Sequence, residues 1–248
     1  FDATAAAMLG DCDIFNGWGS TSLRAIRAAH RRGVPVVLSV ASSHVVTQTA
    51  ILREEYARWG EATPLTHPRV IDRMIAEYDE ADIIVAPCQW VIDSFVANGV
   101  AEPKMRLAPW GVRVVTSPVD RGDRSGPPRV LFAGRCEVRK GVGYLLEAFR
   151  ALEGCATLHL TGQPNDDLIR RAGGLPEGAH VTGLLSGDAF AGEYRDADIF
   201  VLPTVEDGSA LVTIWALAAG LPVITTDRAG ADLVVDGVNG FIVPAGDA

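Results

Sequence analysis

The sequence predicts an α/β protein built from two parallel-sheet domains, and three observations carry that expectation. Short apolar runs recur along the chain, most of them followed by a turn and a helix-length amphipathic segment. The runs are apolar throughout rather than alternating, as strands covered on both faces require. One Pro-, Gly- and charge-rich stretch, TSPVDRGDRSGPP at 116–128, interrupts the pattern near the middle.

Taken in order, the first half offers strands at 12–15 (CDIF), 34–40 (VPVVLSV), 82–86 (DIIVA) and 104–108 (KMRLA), with helices at 20–32, 67–80 and 89–98. The second half offers strands at 129–134 (RVLFAG), 156–161 (ATLHLT), 179–182 (AHVT), 198–202 (DIFVL), 222–225 (PVIT) and 240–243 (GFIV). Its helices are expected at 142–152, 164–173, 187–196 and 208–220. The expected domains are therefore 1–118 and 129–248, joined by a linker at 119–128. Charge supports the division: residues 1–118 carry 11 basic and 13 acidic side chains, and residues 119–248 carry 11 and 18. Two such domains place a ligand in the cleft between them, outside the carboxyl ends of the strands.

Composition excludes several classes of function. The 248 residues are 48% hydrophobic and carry a net charge of −9, which argues against a general nucleic-acid binder or a polybasic membrane protein. An anionic ligand must then be held by a local cluster. Cys12, Cys88, Cys136 and Cys155 form no C-x-x-C pair, so no metal site is expected and the chemistry suits a reducing cytosol. No apolar run reaches the roughly 18 residues of a membrane span. The N-terminus lacks a basic n-region and an initiator Met, so a cytoplasmic chain and a fragment are expected.

Two strand-to-helix junctions carry chemistry. In RVLFAGRCEVRKGVGYLLEAFRAL (129–152), a strand ends at Gly134, a loop brings in Arg135 and Lys140, and a helix opens after Gly141. Close backbone approach at glycine, two cations and helix N–H donors suit a phosphate or diphosphate. Solvated loop cations are the competing reading. The loop is not a Walker A, because Lys140 precedes its glycine. In DIFVLPTVEDGSALVTIWALAAGLPVITTD (198–227), Pro203 stops the strand, and Glu206 and Asp207 precede Gly208 and a helix. Asp207 could cap that helix, or the carboxylates could bind sugar hydroxyls while helix N–H groups face a phosphate.

Weaker candidates lie elsewhere. Gly17 and Gly19 sit between a strand and a helix, but Ser22 stands where a dinucleotide fingerprint needs its third glycine, which disfavours a nicotinamide cofactor. His44 follows the strand at 34–40, where a side chain can point into a cleft. Cys136 lies in the basic loop, where neighbouring cations could lower a thiol pKa, but it has no His or Asn partner for thiol catalysis. Trp59, Trp90 and Trp110 read as packing aromatics.

With both junctions in place, the chain resembles a family 4 retaining glycosyltransferase (glycosyl transferases group 1) of GT-B architecture. FAGRCEVRKGVGYLLEAF resembles that family's donor-diphosphate loop, ADIFVLPTVEDGSALVTIWALAAGLPVITTD its donor-sugar segment, and GVNGFIVPAGD the stretch that follows. EYDEADIIVAPCQWVIDSFVANGV with RLAPWGV resembles the end of its acceptor-side domain.

The resemblance implies two Rossmann-like domains facing a cleft, the N-terminal one incomplete, and a chain truncated at both ends. It implies transfer of a sugar from a UDP-, GDP- or ADP-sugar to a glycan, lipid or small-molecule acceptor. No cofactor, obligatory metal or nucleic acid is implied, and a peripheral membrane contact is compatible with it. Arg135 and Lys140 match the pair that neutralises the leaving diphosphate, and His44 matches a histidine near the reacting sugar. Gly134, Glu206, Asp207, Gly208, Ser209, Ala210, Leu211 and Trp215 fall on the donor-binding stretch. The family's two donor-site glutamates, eight positions apart, fall on Asp207 and Trp215. Asp for Glu shortens the reach by one methylene. Trp for Glu removes the acceptor for ribose hydroxyls, and Arg113 replaces the Asp usual after PWGV. These departures keep open a non-catalytic nucleotide-sugar-binding module of the same fold.

Overall fold

The computed structural model describes residues 2–63, 66–114 and 126–247. The expected linker at 119–128 therefore lies mostly outside the described residues. The chain divides into two compact units, Phe1–Ile51 with Pro64–Pro109, and Leu52–Thr63 with Trp110–Ala248.

The first unit contains α1 (Asp2–Met8), β1 (Phe15–Trp18), α2 (Leu23–His30), β2 (Val36–Ser39) and the start of α3 (Val45–Arg58). It continues with α4 (Pro68–Glu80), β3 (Ile83–Ala86), α5 (Gln89–Ala97) and β4 (Met105–Leu107). The four strands form a parallel sheet in the order β1-β2-β3-β4. Ile26, Val36, Leu38, Ile84 and Phe95 are fully buried at its centre. Helix α4 begins at Pro68, whose missing N–H costs nothing at a first helical position, and the His67 ring accepts from Arg69 N–H at 3.2 Å.

Strand β1 starts three residues later than expected from CDIF, because Cys12 and Asp13 are exposed loop residues and Phe15 supplies the first inward ring. Gly17 thus lies within the strand, not after it. A Cβ there would sit 2.7 Å from Ser22 Oγ, so glycine admits the first turn of α2. The N-terminus of α2 is already filled from within. Fully buried Glu77 accepts from the backbone N–H groups of Ser20, Ser22 and Leu23 at 2.6, 2.8 and 3.1 Å. Asp2 accepts from Arg24 and Ala25, both at 2.9 Å. A cofactor phosphate at this helix would have to displace two carboxylates.

The second unit contains β5 (Arg129–Ala133), α6 (Val142–Arg150), β6 (Thr157–Thr161), α7 (Asp166–Arg171) and β7 (Ala179–Gly183). Then come α8 (Gly187–Asp196), β8 (Ile199–Leu202), α9 (Leu211–Ala218), β9 (Val223–Thr226) and β10 (Gly240–Val243). The sheet is parallel, in the order β10-β9-β8-β5-β6-β7. Leu131, Phe132, Leu146, Leu158, Leu160, Tyr194, Phe200 and Leu202 are fully buried. The chain builds outward from β5 in one direction and from β8 in the other. The crevice beyond the carboxyl ends of these two adjacent strands is the topological switch point of the sheet.

Two helices, α1 and α3, have no counterpart among the elements expected from the sequence. The α3 sequence VVTQTAILREEYAR mixes polar and apolar residues around the helix without a clear apolar stripe. Its second half and the residues up to Thr63 belong to the second unit, which differs from a first domain of 1–118. Trp59 fills the space that a side chain at Gly143 would occupy, and it meets Tyr144 edge-on at 5.4 Å. The Tyr144 hydroxyl donates to Glu55 Oε2 at 2.6 Å and accepts from Arg58 Nη1 at 2.8 Å. These contacts are decided by packing and leave no local signal in the sequence.

Candidate functional site

The two junctions singled out in the sequence meet at the switch point. After β5 the chain passes Gly134 and Arg135, makes a single 3-10 turn at Val138–Lys140, and enters α6 through Gly141. After β8 it runs from Pro203 to Ala210 before α9. Gly141 has φ of +71°, and a Cβ on it would overlap the Pro203 carbonyl, so only glycine lets the loops approach this closely. The Arg139 carbonyl accepts from Val205 N–H at 2.9 Å and from Thr204 Oγ1 at 2.8 Å.

Side chains complete the junction. Lys140 Nζ donates to Asp207 Oδ2. Arg139 Nε donates to Glu206 Oε2 at 2.9 Å and to the Glu206 carbonyl at 3.0 Å, and Arg139 Nη2 stands 4.0 Å from Asp207 Oδ1. Glu206 is wholly buried, and its charge is held by Arg139 rather than presented to a ligand. Burial opposes the Arg139 charge, but Glu206, Asp207 and Glu137 outweigh it and raise its pKa. Sequence reasoning passed over Arg139. The signal was there: two consecutive cations at 139 and 140 answer two consecutive acids at 206 and 207.

Asp207 does not cap the following helix. Helix α9 begins at Leu211, three residues later than expected, with Ala210 at the N-cap and no side-chain cap bond. As at any helix start, its first N–H groups have no acceptor four residues back, and the Ala210 side chain offers none. Gly208, Ser209 and Ala210 are buried in the turn, which is held by Asp207 N–H to the Arg228 carbonyl at 2.9 Å and by the close approach of Gly230 to Gly208.

Arg135 is exposed. It lines a polar cavity of about 610 Å³ in the second unit, with Tyr56, Glu61, Gln163, Asn165 and Asp167 among its neighbours. The Gly134 N–H donates to the Thr161 carbonyl at 2.8 Å, which ties the start of the loop to β6. Cys136 is buried in the same loop, and burial pushes its thiol up to about 11, opposite to the lowering that a basic loop suggests.

Trp215 is half-buried. Its indole N–H donates to the Arg113 carbonyl at 3.1 Å, and its ring meets Phe190 at 5.6 Å in an edge-on contact. His44 also differs from expectation. It immediately precedes α3, is 4% exposed, and packs against Tyr78 and Phe95 at 5.0 and 5.1 Å. Its Nδ1 accepts from Val46 N–H at 3.3 Å. Burial lowers the pKa of the ring. Among the described residues, no group of three His, Cys, Asp or Glu side chains is placed to hold a metal ion, and no helix is long and apolar enough to cross a membrane.

Comparison with known proteins places this geometry in a family. Residues 127–248 match the family model described as Glycosyl transferases group 1. A phosphatidyl-myo-inositol mannosyltransferase of Mycobacterium leprae is 36% identical over 135 residues, covering 50% of this chain and 36% of the relative. A GDP-mannose-dependent alpha-mannosyltransferase of Mycobacterium tuberculosis is 29% identical over 238 residues, covering 90% of this chain and 57% of the relative. The chain thus spans between about a third and somewhat over half of these two relatives. Among solved structures, Anabaena Alr3699/HepE in complex with UDP-glucose superimposes with a TM-score of 0.73 at 17% identity, covering 99% of this chain and 68% of that one. A sucrose-phosphate synthase from Thermosynechococcus elongatus gives 0.70 at 20% identity, covering 99% and 63%. The two parallel sheets are those of GT-B glycosyltransferases. With the second unit built around the stretch that this family shares, residues 127–248 belong to the group 1 glycosyltransferases.

Proposed function

We propose that this chain is the donor-binding and part of the acceptor-side portion of a retaining glycosyltransferase that takes its sugar from a nucleotide-sugar. The observation that carries the reading is the Lys140–Asp207 pair at the β5/β8 switch point, beside the uncapped N-terminus of α9. Lys140 and the first N–H groups of α9 supply positive potential where a diphosphate leaves with its negative charge. Arg135 adds a second, solvent-facing cation on the same loop. Once Lys140 turns to the diphosphate, the Asp207 carboxylate is released to accept hydroxyl groups of the donor sugar. Gly208, Ser209, Ala210 and Leu211 form the backbone that approaches the phosphates.

His44 is read as a packing and helix-start residue, since its ring is buried among aromatics. The named relatives and neighbours support both UDP- and GDP-linked donors, so the base remains to be read by experiment. The acceptor class, the cytoplasmic setting and a peripheral membrane contact belong to the same proposal.

The test is a thermal-melt screen with UDP, GDP, ADP and their sugars, followed by a hydrolysis and transfer assay on the positives. A ligand at 100 times its dissociation constant stabilises by about 2.7 kcal/mol. Selective stabilisation by one nucleoside diphosphate, with turnover of its sugar, is expected. Binding without turnover would favour the non-catalytic module, and no stabilisation by any of them would end the donor-site reading.

A further inference from the structure

The inference rests on the donor-site reading and deepens it. Two cations consecutive in sequence face two consecutive carboxylates, but the pairs are unequal. Glu206 is 0% exposed, and its Oε2 and its main-chain carbonyl oxygen both accept from Arg139 Nε. Lys140 and Asp207 are nearer the surface, with side chains 20% and 11% exposed. Breaking a buried pair costs more than exchanging the partner of a partly exposed one.

We infer that Arg139 is a positioning residue whose task is to neutralise Glu206 and pin the β8–α9 turn, so that Lys140 stays available to a donor diphosphate. Three contacts fix the turn to the 3-10 turn at Val138–Lys140. They are the Arg139 carbonyl with Val205 N–H and with the Thr204 hydroxyl, and the Arg139 guanidinium with Glu206. Thr226 Oγ1 donates to the Thr204 carbonyl at 2.6 Å and anchors the turn to β9 from the other side. Remove Arg139, and Glu206 loses its guanidinium partner, with Lys140 the next cation along the chain. Lys140 is then diverted from the ligand. A lysine at 139 keeps the charge but not the fixed planar Nε–H that carboxylate and carbonyl share.

The test compares wild type with Arg139→Met, Arg139→Lys and the double variant Arg139→Met/Glu206→Gln, which removes both charges of the buried pair. Calorimetry with UDP, GDP and ADP, and with the corresponding nucleosides, provides the first readout. Arg139→Met is expected to weaken diphosphate binding by at least about tenfold, with nucleoside binding unchanged, as befits a lost charge-assisted contact. The double variant is expected to return to within about threefold of wild type, because Lys140 is released again. Arg139→Lys is expected to fall between, and it carries the test if Arg139→Met does not fold.

Unchanged diphosphate affinity in the folded single variants, or no recovery in the double variant, overturns the inference. If wild type binds none of the three diphosphates, the donor reading fails separately, and amide hydrogen exchange decides the positioning role. Exchange across residues 204–211 is then expected to quicken at least about tenfold in Arg139→Met and to return in the double variant. Equal exchange in all the proteins overturns the inference.

Discussion

Lys140 and Asp207, 67 positions apart in sequence, form an ion pair across the mouths of adjacent strands β5 and β8, with the side chains largely but not wholly shielded from water. The pair makes Asp207 a competitor of any diphosphate for the same ammonium. Asp207→Asn is therefore expected to tighten nucleoside diphosphate binding by about three- to tenfold, less than the full worth of one charge-assisted hydrogen bond, while lowering sugar transfer. Lys140→Ala is expected to weaken it by about 1.5–3 kcal/mol, with nucleoside binding unchanged. Isothermal titration separates the two effects. An Asp207→Asn protein that binds diphosphate no more tightly than wild type would show that the two anions do not compete.

Trp215 stands where the family resemblance places a ribose-binding carboxylate, but its indole is engaged with Arg113 and Phe190. Trp215→Glu is expected to lose the hydrogen bond and the ring contact without gaining affinity for nucleotide, and to cost about 1–3 kcal/mol of stability. Melting temperature and donor affinity measured on the same variant check this. A stable variant with tighter donor binding would show that position 215 still faces ribose.

Gly141 is the hinge of the two loops. Alanine there must either leave its left-handed φ of +71° or overlap the Pro203 carbonyl, and both routes push the loops apart. Gly141→Ala is expected to destabilise by more than about 1 kcal/mol and to abolish diphosphate binding. Gly99 has φ of +88°, and a Cβ added there would meet nothing within 4 Å, so Gly99→Ala serves as the control for strain without overlap. Denaturant midpoints for the two variants provide the comparison, and equal losses would remove the loop contact as the cause.

His44 makes stability depend on pH. Burial holds its folded-state pKa below the ordinary imidazole value of about 6.5, so the unfolded chain binds the proton more readily. Stability from the neutral ring is complete above about pH 6.5 and declines as the pH falls toward the lowered folded value. His44→Asn keeps a side-chain acceptor beside Val46 and has no titrating group. Its melting temperature is expected to be lower at pH 8, because the ring contacts with Tyr78 and Phe95 are lost, and to fall less than that of wild type between pH 7 and pH 5. Because His159, also lowered by burial, titrates in both proteins, the difference isolates His44. Parallel pH profiles would exclude that origin.

The sequence by itself determined the α/β class, the ten strands of the described residues to within a few residues, and both loops of the candidate site. These are local properties: an apolar run flanked by turn residues reads as a buried strand wherever it docks, and glycine beside charge marks a strand-to-helix junction. Tertiary structure alone decided which charges pair. Nothing local distinguishes Glu206, wholly buried on Arg139, from Asp207, the next residue, paired with Lys140, because burial depends on the β5–β8 pairing, made between residues 69 positions apart. The same holds for the surroundings of Trp215 and His44. Their rings fill space set by Phe190, Tyr78 and Phe95, and hydrophobic packing is non-directional, so only the assembled neighbours determine where an aromatic surface goes.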